Sequence, residues 1–391
     1  MSASTDVAIA GAGIAGLTTA LALARQSVAV RVLERREASA IDTGAGLQLS
    51  PNAMAVMTAL GIATEIEANS SEPLEIAVRD AYFGAQLAQV PLGAAARQRY
   101  GAPYLTIARP ALRQTLLESC RAAGVSVDFD TSVRGFAPVS NGVDVVLADN
   151  TELRTAALVI ADGVHSRLAA QLGAAQPAFS GFVAWRALLD SAAERRRPRT
   201  TLWLGRDAHI VTYPVANGRW VNLLACTRQS DWRQRRWSEP ADPARLQRRF
   251  RRWHRDIRAL LHRCDTVYKW GLHERDPLAT WARGPVIAIG DACHPMLPFA
   301  AQGAAQAIED AWAVAAAIGK HADPSSAFAA VGAARQARIG RVVTESRTRA
   351  DLYHDGLVGR LRRPGATRRI GGIDSGVDWL YGYRVTDEDV G

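Results

Sequence analysis

Four consecutive apolar residues, Val7 to Ala10, precede a glycine-rich turn, a stretch from Gly13 to Arg25 of helical length and composition, and a β-branched run from Val28 to Leu33. That succession predicts the strand, helix and strand of a parallel βαβ unit. Between 135 and 160 the pattern shortens into three strands of a meander, with Asn141-Gly142 as a hairpin turn and Asp149-Asn150 as a second turn. From about 179 to 280 the chain is rich in Trp, Tyr and β-branched residues. FVAWRALL, TLWLG, AHIVTYPV and RWVNLLACT read there as strands of a second, mainly antiparallel domain. A strand returns at Val286 to Ile289, followed by a loop containing Pro295 and Pro298. A helix from about Ala304 to Ile318 comes next, with Gly319 expected as its cap. The fold class expected is α/β, a Rossmann-like domain in three pieces, 1–75, 105–178 and 281–330. An antiparallel sheet domain from 76–104 and 179–280 is inserted in it, and 331–391 forms a C-terminal helical segment.

Composition narrows the picture without changing it. The 391 residues are 48% hydrophobic and 22% charged, the balance of an ordinary globular protein of two to three domains. Cys120, Cys226, Cys264 and Cys293 are far apart and form no CxxC pair, so neither a zinc site nor a disulfide framework is signalled and a reducing cytoplasm is the expected compartment. The apolar stretch from Val7 to Ala24 follows Asp6, has no Lys or Arg before it and is broken by three glycines, which argues against a signal peptide or membrane span. The formal net charge of +9 comes from arginine runs at 195–197, 248–258 and 360–369. LQRRFRRWHRDIR can be drawn as one helix with Leu246, Phe250, Trp253 and Ile257 on one side and arginines on the other, the pattern of a solvated amphipathic helix rather than a nucleic-acid surface.

Three motifs carry chemistry. GAGIAG at 11–16 lies between a predicted strand and helix: Gly11 permits the tight turn, Gly13 admits a pyrophosphate to the backbone, and Gly16 lets helix and strand pack closely. Glu34, 18 residues beyond Gly16 at the end of the second strand, is placed to accept hydrogen bonds from an adenosine ribose. NAD and FAD share this fingerprint. The other two motifs are Asp162-Gly163 in VIADGVHSRL and Gly290-Asp291 in VIAIGDACHPMLPFAAQGAAQAIEDA, each directly after an apolar strand.

With these residues and Leu105 to Arg109, the chain resembles the single-component flavoprotein aromatic hydroxylases, the family of para-hydroxybenzoate hydroxylase, over nearly its whole length. VPLGAAARQRYGAPYLTI at 90–107, KWGLHERDPLATWARG at 269–284 and WLYGY at 379–383 are similar to the 6-hydroxynicotinate 3-monooxygenases and salicylate hydroxylases within it. The resemblance implies bound FAD, with NADH or NADPH as co-substrate. It implies that Gly11, Gly13, Ala15, Gly16, Glu34, Arg35, Gly46, Gln48, Arg109, Val133, Asp162, Asp291, Pro298, Gly303 and Ala304 hold the flavin nucleotide. Asp291 would serve the ribityl and pyrophosphate region, Arg109 the flavin or its phosphates, and Asp162-Gly163 both FAD and NAD(P)H. The helix start at Gln302 to Ala305 would turn its positive dipole end to the flavin N1 and C2 carbonyl, where charge collects on reduction.

The activity implied is hydroxylation of a hydroxybenzoate-type or hydroxynicotinate-type ring by a flavin C4a-hydroperoxide, with decarboxylation where the attacked carbon bears a carboxylate. The partners implied are an aromatic substrate, O2 and NAD(P)H, in a monomer or homodimer with no nucleic acid and no metal. Electrophilic attack requires an electron-rich ring, hence a base to remove a ring hydroxyl proton. His209 is the candidate base, and Tyr213, on the same side of a strand, is the candidate hydroxyl donor. His294 is a weaker candidate, in a loop stiffened by two prolines. Ala108 before Arg109, Pro110 after it, and Gln48 where the hydroxynicotinate enzymes carry a histidine depart from the family pattern. A same-fold hydroxylase of quinolones, urate-like rings or natural products, and a flavin-binding protein without turnover, are the alternative readings.

Overall fold

The computed structural model describes residues 7–39, 46–191, 198–232, 239–356 and 376–390. The arginine runs at 195–197 and 360–369, together with Gly44 and Ala45, lie outside the described residues.

Strands β1 (Val7–Ala10), β2 (Val30–Leu33), β8 (Ser126–Asp128), β12 (Ala157–Ile160) and β20 (Val286–Ala288) form a parallel sheet in the order β20-β12-β1-β2-β8, edged by the antiparallel β19 (Ala282–Arg283). Every residue of β1, β12 and β20 is buried, as continuous apolar runs should be in a parallel sheet covered on both faces. Among the helices, α1 (Ile14–Ala24) packs on α5 (Arg109–Ala122) and on α9 (Gly303–Lys320), and α2 (Pro51–Ala59) packs on α9. Short helices α3 (Ala63–Ala68), α4 (Ala94–Tyr100) and α6 (Leu168–Gln171) complete this part.

The meander predicted between 135 and 160 is present as β9 (Val133–Val139), β10 (Gly142–Leu147) and β11 (Glu152–Thr155), antiparallel throughout. A second small sheet joins β3 (Gly46–Leu49), β7 (Leu105–Ala108) and β4 (Ser70–Ser71).

The inserted sheet has eight strands: β5 (Glu75–Asp80), β6 (Gln86–Pro91), β13 (Ala178–Asp190), β14 (Thr200–Leu204), β15 (Ala208–Val215), β16 (Trp220–Arg228), β17 (Glu239–Ala241) and β18 (Val267–Glu274). Their order is β17-β18-β13-β16-β15-β14-β5-β6, and every pairing is antiparallel except β14 with β5. The two-residue period of β15 assigns its faces. Ala208 and Ile210 join a core with Leu246, Phe250 and Trp253, whereas Val211, Tyr213 and Val215 join Leu297, Phe299, Ala350 and Tyr353 of the flanking turn and helix.

Two local expectations are corrected. The arginine-rich segment is two helices, α7 (Pro243–Arg249) and α8 (Arg255–His262), rather than one. The first helix ends at Phe250, and His254 begins the second, its amide donating to Ala81 O at 2.7 Å and its ring accepting the Asp256 amide. Folding back in this way buries Leu246, Phe250, Trp253 and Ile257 together against the sheet while Arg251, Arg252, Arg255 and Arg258 stay in solvent. Gly319 is not the cap of α9: the helix continues through it to Lys320, and a Cβ there would lie 2.7 Å from Gln26 Oε1, so close approach is what a side chain would disturb. Helix α10 (Pro324–His354) then runs for 31 residues across both parts of the molecule, and α11 (Asp378–Tyr381) lies near the C-terminus. Helix α10 starts under Asp323, whose carboxylate accepts the amides of Ser325 and Ser326.

Candidate active site

The three sequence motifs follow three adjacent strands. Ala10 pairs with Ile160 and Ile160 with Ala288, so GAGIAG, Asp162-Gly163 and Gly290-Asp291 all emerge at the carboxyl ends of β1, β12 and β20. Open α/β sheets bind nucleotides at that edge.

At the glycine turn each glycine has a separate reason. Gly11 has φ +108°, a left-handed conformation, and a Cβ on it would meet Ala161 O at 2.6 Å. A Cβ on Gly16 would lie 1.9 Å from Gly11 O, so only hydrogen allows helix and turn to touch. A Cβ on Gly13 would meet nothing within 4 Å, and no side chain caps the helix it begins. Uncapped first-turn amides beside open space are what a pyrophosphate needs. Glu34 accepts the amides of Ala12 (2.8 Å) and Arg36 (2.9 Å), which holds its carboxylate against the turn. Ala15 packs beside Gly290, and Thr131, two residues before Val133, donates its amide to Glu34 O at 2.8 Å, so Val133 borders the same end. Arg35 is exposed and lies within electrostatic reach of Asp162.

Asp162 has a buried carboxylate oxygen, Oδ1, without a protein partner, and burial raises its pKa. Asp291 reaches the surface, yet protein packed around its carboxylate desolvates it and raises its pKa, against the opposing charges of His294, Arg109 and Arg275. Arg109 therefore does face Asp291, held as the first residue of α5 with Pro110 behind it. Pro298, itself exposed, opens a turn whose Phe299 and Ala300 are buried, Ala301 follows with φ +53°, and Gly303 and Ala304 begin α9 with no side-chain cap and, at Gly303, no neighbour within 4 Å of a Cβ. An orphaned acceptor, two open glycines and two uncapped helix starts fit a dinucleotide with a flavin at the α9 end.

A buried ionic network supports this edge from behind. Arg335, fully buried on α10, donates to Glu309 (2.6 Å), Asp310 (2.9 Å) and Gln306 (2.9 Å). Asp310 also bonds His294 Nε2 at 2.5 Å and the Gly290 amide at 3.1 Å. His294 thus ties the loop to α9, and its place is structural. Asn52 donates to Glu309, and Gln302 donates to Ser50 at 2.9 Å, which joins α2 to the start of α9.

His209 and Tyr213 share the face of β15 that looks toward the Leu297–Phe299 turn, but they have separate partners. His209 is 3% exposed; its Nδ1 lies 3.0 Å from His354 Nε2, and Phe299 and Tyr353 stand edge-on to its ring at 5.2 and 5.3 Å. Burial, with the charge of His354, holds it well below the usual histidine range, so its ring is neutral at neutral pH. The Tyr213 hydroxyl donates to Gly46 O at 2.6 Å. Gln48, one strand position on from Leu47, accepts from the Tyr104 hydroxyl.

A family model described as "FAD binding domain" matches residues 4–346. The chain belongs to this family. A 3-amino-4-hydroxybenzoate 2-monooxygenase of Streptomyces platensis is 36% identical to the flavoprotein over 97% of this chain and 96% of the relative. A 6-hydroxynicotinate 3-monooxygenase of Bordetella bronchiseptica is 35% identical over 78% and 80%. A salicylate hydroxylase solved as a substrate complex superposes with a TM-score of 0.84 at 25% identity, over 99% of this chain and 97% of that one. The likenesses to hydroxynicotinate and salicylate enzymes are thus present, and an aminohydroxybenzoate enzyme matches over more of the chain than the hydroxynicotinate enzyme.

Sequence reasoning missed four residues of the flavoprotein's site. Arg275 lies near both Asp162 and Asp291 and donates to the carbonyls of Ala175 and Ala292, bracing the Asp291 turn; it sits in the quoted segment 269–284 but carried no motif of its own. Asn222 accepts the Gly46 amide at 3.0 Å. Arg335 and His354 belong to a helix that the sequence marks only as a C-terminal helical segment, so nothing singled them out before packing brought them here. Among the described residues no group of His, Cys, Asp and Glu could hold a metal ion, and no helix is long and apolar enough to cross a membrane.

Proposed function

We propose that the flavoprotein hydroxylates a ring-hydroxylated aromatic or N-heteroaromatic substrate of the hydroxybenzoate, aminohydroxybenzoate or hydroxynicotinate type, using NADH or NADPH and O2. The observation that carries the reading is His209: a neutral, buried imidazole on the inserted sheet, against the Phe299 turn that leads into the flavin-facing helix start. Bound FAD supplies the redox chemistry, taking electrons from the nicotinamide and activating O2 for transfer of one oxygen atom.

The chain's own residues do the rest. Glu34, Gly13 and Asp162 would hold the nucleotide, and Asp291, Arg109 and the amides of Gly303 and Ala304 would hold the flavin end, where helix dipole and cation favour the negative charge of the reduced ring. His209 takes the proton of the ring hydroxyl, raising the electron density of the carbon to be attacked. Phe299 and Tyr353 stand against its ring within a buried apolar cluster that also holds Phe182 and Leu297, so a ligand that reaches His209 is shut away from bulk water.

The test is direct. Purified protein should show the visible spectrum of bound FAD, and NADH or NADPH oxidation should rise on adding one of a panel of hydroxybenzoates, aminohydroxybenzoates and hydroxynicotinates, with the hydroxylated product identified by mass spectrometry. Bound FAD with no stimulation and no product across the panel would overturn the substrate class.

A further inference from the structure

His354 is a buried titratable group that neither the motifs nor the proposed chemistry employs. It occupies the last turn of α10 and is 2% exposed. Its backbone carbonyl accepts the Asp207 amide at 3.0 Å, and its neighbour Asp355 makes an isolated bridge to Arg206, so the helix end is fastened to the turn that leads into β15. Phe182 lies against its ring at 4.6 Å and Phe299 at 5.5 Å. The ring is therefore located by backbone on one side and by aromatic packing on the other.

Hydrogen-bond bookkeeping fixes its tautomer. His354 Nδ1 meets Ala350 O, and a carbonyl can only accept, so that nitrogen carries the proton. Neutral His354 then has a lone pair at Nε2, 3.0 Å from His209 Nδ1, and His209 must donate from Nδ1. The lone pair of His209 is left on Nε2. An imidazole whose proton could sit on either nitrogen is thereby committed to one arrangement.

We propose that His354 is a positioning residue for the reaction: by accepting the His209 Nδ1 proton it sets the tautomer and ring orientation in which His209 Nε2 receives the substrate's hydroxyl proton. The inference rests on His209 being the base. The proton moves from the ring hydroxyl to Nε2, the Nδ1–H bond stays intact, and the positive charge that forms on His209 faces the His354 lone pair. The role is that of the group which orients the base in other acid–base sites, filled here by a neutral ring instead of a carboxylate. A neutral orienter suits this pocket, because Phe182, Phe299 and Tyr353 leave an unpaired carboxylate no solvation.

The experiment compares His354→Phe, which keeps an aromatic ring but removes the acceptor, with His354→Gln, whose Oε1 can replace Nε2. Both are measured beside His209→Asn and the double variant His209→Asn/His354→Phe, in FAD-loaded full-length protein with the substrate that the panel identifies. The result expected is a fall in kcat on the order of 10- to 100-fold for His354→Phe with KM and FAD content little changed, part of the about 100- to 10,000-fold that a general base contributes. His354→Gln should recover kcat to within about threefold of the parent, and the double variant should be no slower than His209→Asn alone, since an orienter has nothing to orient without its base. Unchanged kcat in His354→Phe overturns the proposal, as does a double variant whose loss is the product of the two single losses. Failure of His354→Gln to recover any of the loss also counts against it. Unchanged kcat in His209→Asn would instead remove the base, and the proposal with it, a result distinguishable from the others by the single variant alone.

Discussion

Tyr213 donates its phenolic proton to the carbonyl of Gly46 at 2.6 Å, while Asn222, its cross-strand partner, accepts the Gly46 amide at 3.0 Å. One glycine of β3 is thus gripped on both backbone polar groups by the inserted sheet, and a Cβ on Gly46 would lie 2.6 Å from Tyr213 Cε2. Tyr213 therefore joins the two sheets at the edge of the site, and its one proton is engaged in that joint.

Tyr213→Phe should keep the ring packing and lose the hydrogen bond, lowering stability by about 0.5–1.5 kcal/mol. Gly46→Ala should cost more, about 1–3 kcal/mol, because the methyl group has to displace the Tyr213 ring. Urea unfolding of both variants ranks the two effects, and Tyr213→Phe more destabilising than Gly46→Ala would contradict this geometry.

The glycines of the first turn should separate folding from cofactor binding. Gly16→Ala places a methyl 1.9 Å from Gly11 O and is expected to give little soluble protein. Gly13 has φ −82° and ψ −172°, which alanine adopts freely, and its Cβ would enter open space. Gly13→Ala should fold with an unchanged melting midpoint as apoprotein and bind FAD on the order of tenfold or more weakly, about 1.4 kcal/mol. Fluorescence titration with FAD checks this, and wild-type affinity would show that the pyrophosphate lies elsewhere.

Removing the cation of the buried network should be severe. Arg335→Met leaves Glu309 and Asp310 with reduced compensation at full burial, and a loss of about 3–5 kcal/mol is expected. Burial pushes both carboxyls up, but Arg335, with Arg338 beside Glu309 and His294 beside Asp310, holds them below the usual range. A depressed folded pKa means that this stabilisation is present above the ordinary carboxylate range and lost as pH falls through the folded values. In Arg335→Met burial prevails, so acidification should narrow the gap between variant and parent. Denaturation at pH 7 and pH 4.5 tests the sign.

The histidine pair predicts a second pH dependence. Burial lowers His354 from 6.5 to about 4, outweighing the Ala350 carbonyl; Arg228 pushes the same way, Asp207 and Asp351 oppose, and His209 is itself depressed. The unfolded chain then binds protons that the folded chain refuses. Stability from this source is complete above about 6.5 and falls as pH drops toward about 4, by about 1.4 kcal/mol per pH unit for His354 alone. His354→Gln should flatten the stability curve over that interval, and an equally steep curve in the variant would assign the slope to other groups.

The local pattern of the chain determined a good deal. Runs of buried apolar residues specified β1, β12 and β20, and richness in Trp, Tyr and β-branched residues specified the strands from 178 to 228, because these signals arise within a few residues of backbone. The glycine spacing at 11–16 and the acid at 34 could be read because a phosphate turn is built from one short segment. Two local features depend on the surroundings: the arginine-rich segment is two helices, with the His254 amide bonded to Ala81 at the start of the second, and α9 runs on through Gly319, which packs against Gln26. Tertiary structure alone brought Arg335 under Glu309 and Asp310, set Gly46 between Tyr213 and Asn222, and placed His354 against His209, 145 positions away in sequence. Hydrogen bonds between distant segments leave no period or spacing in a single chain, so the cofactor turn was written in the sequence, whereas the partner of the candidate base existed only once α10 had packed across the sheet.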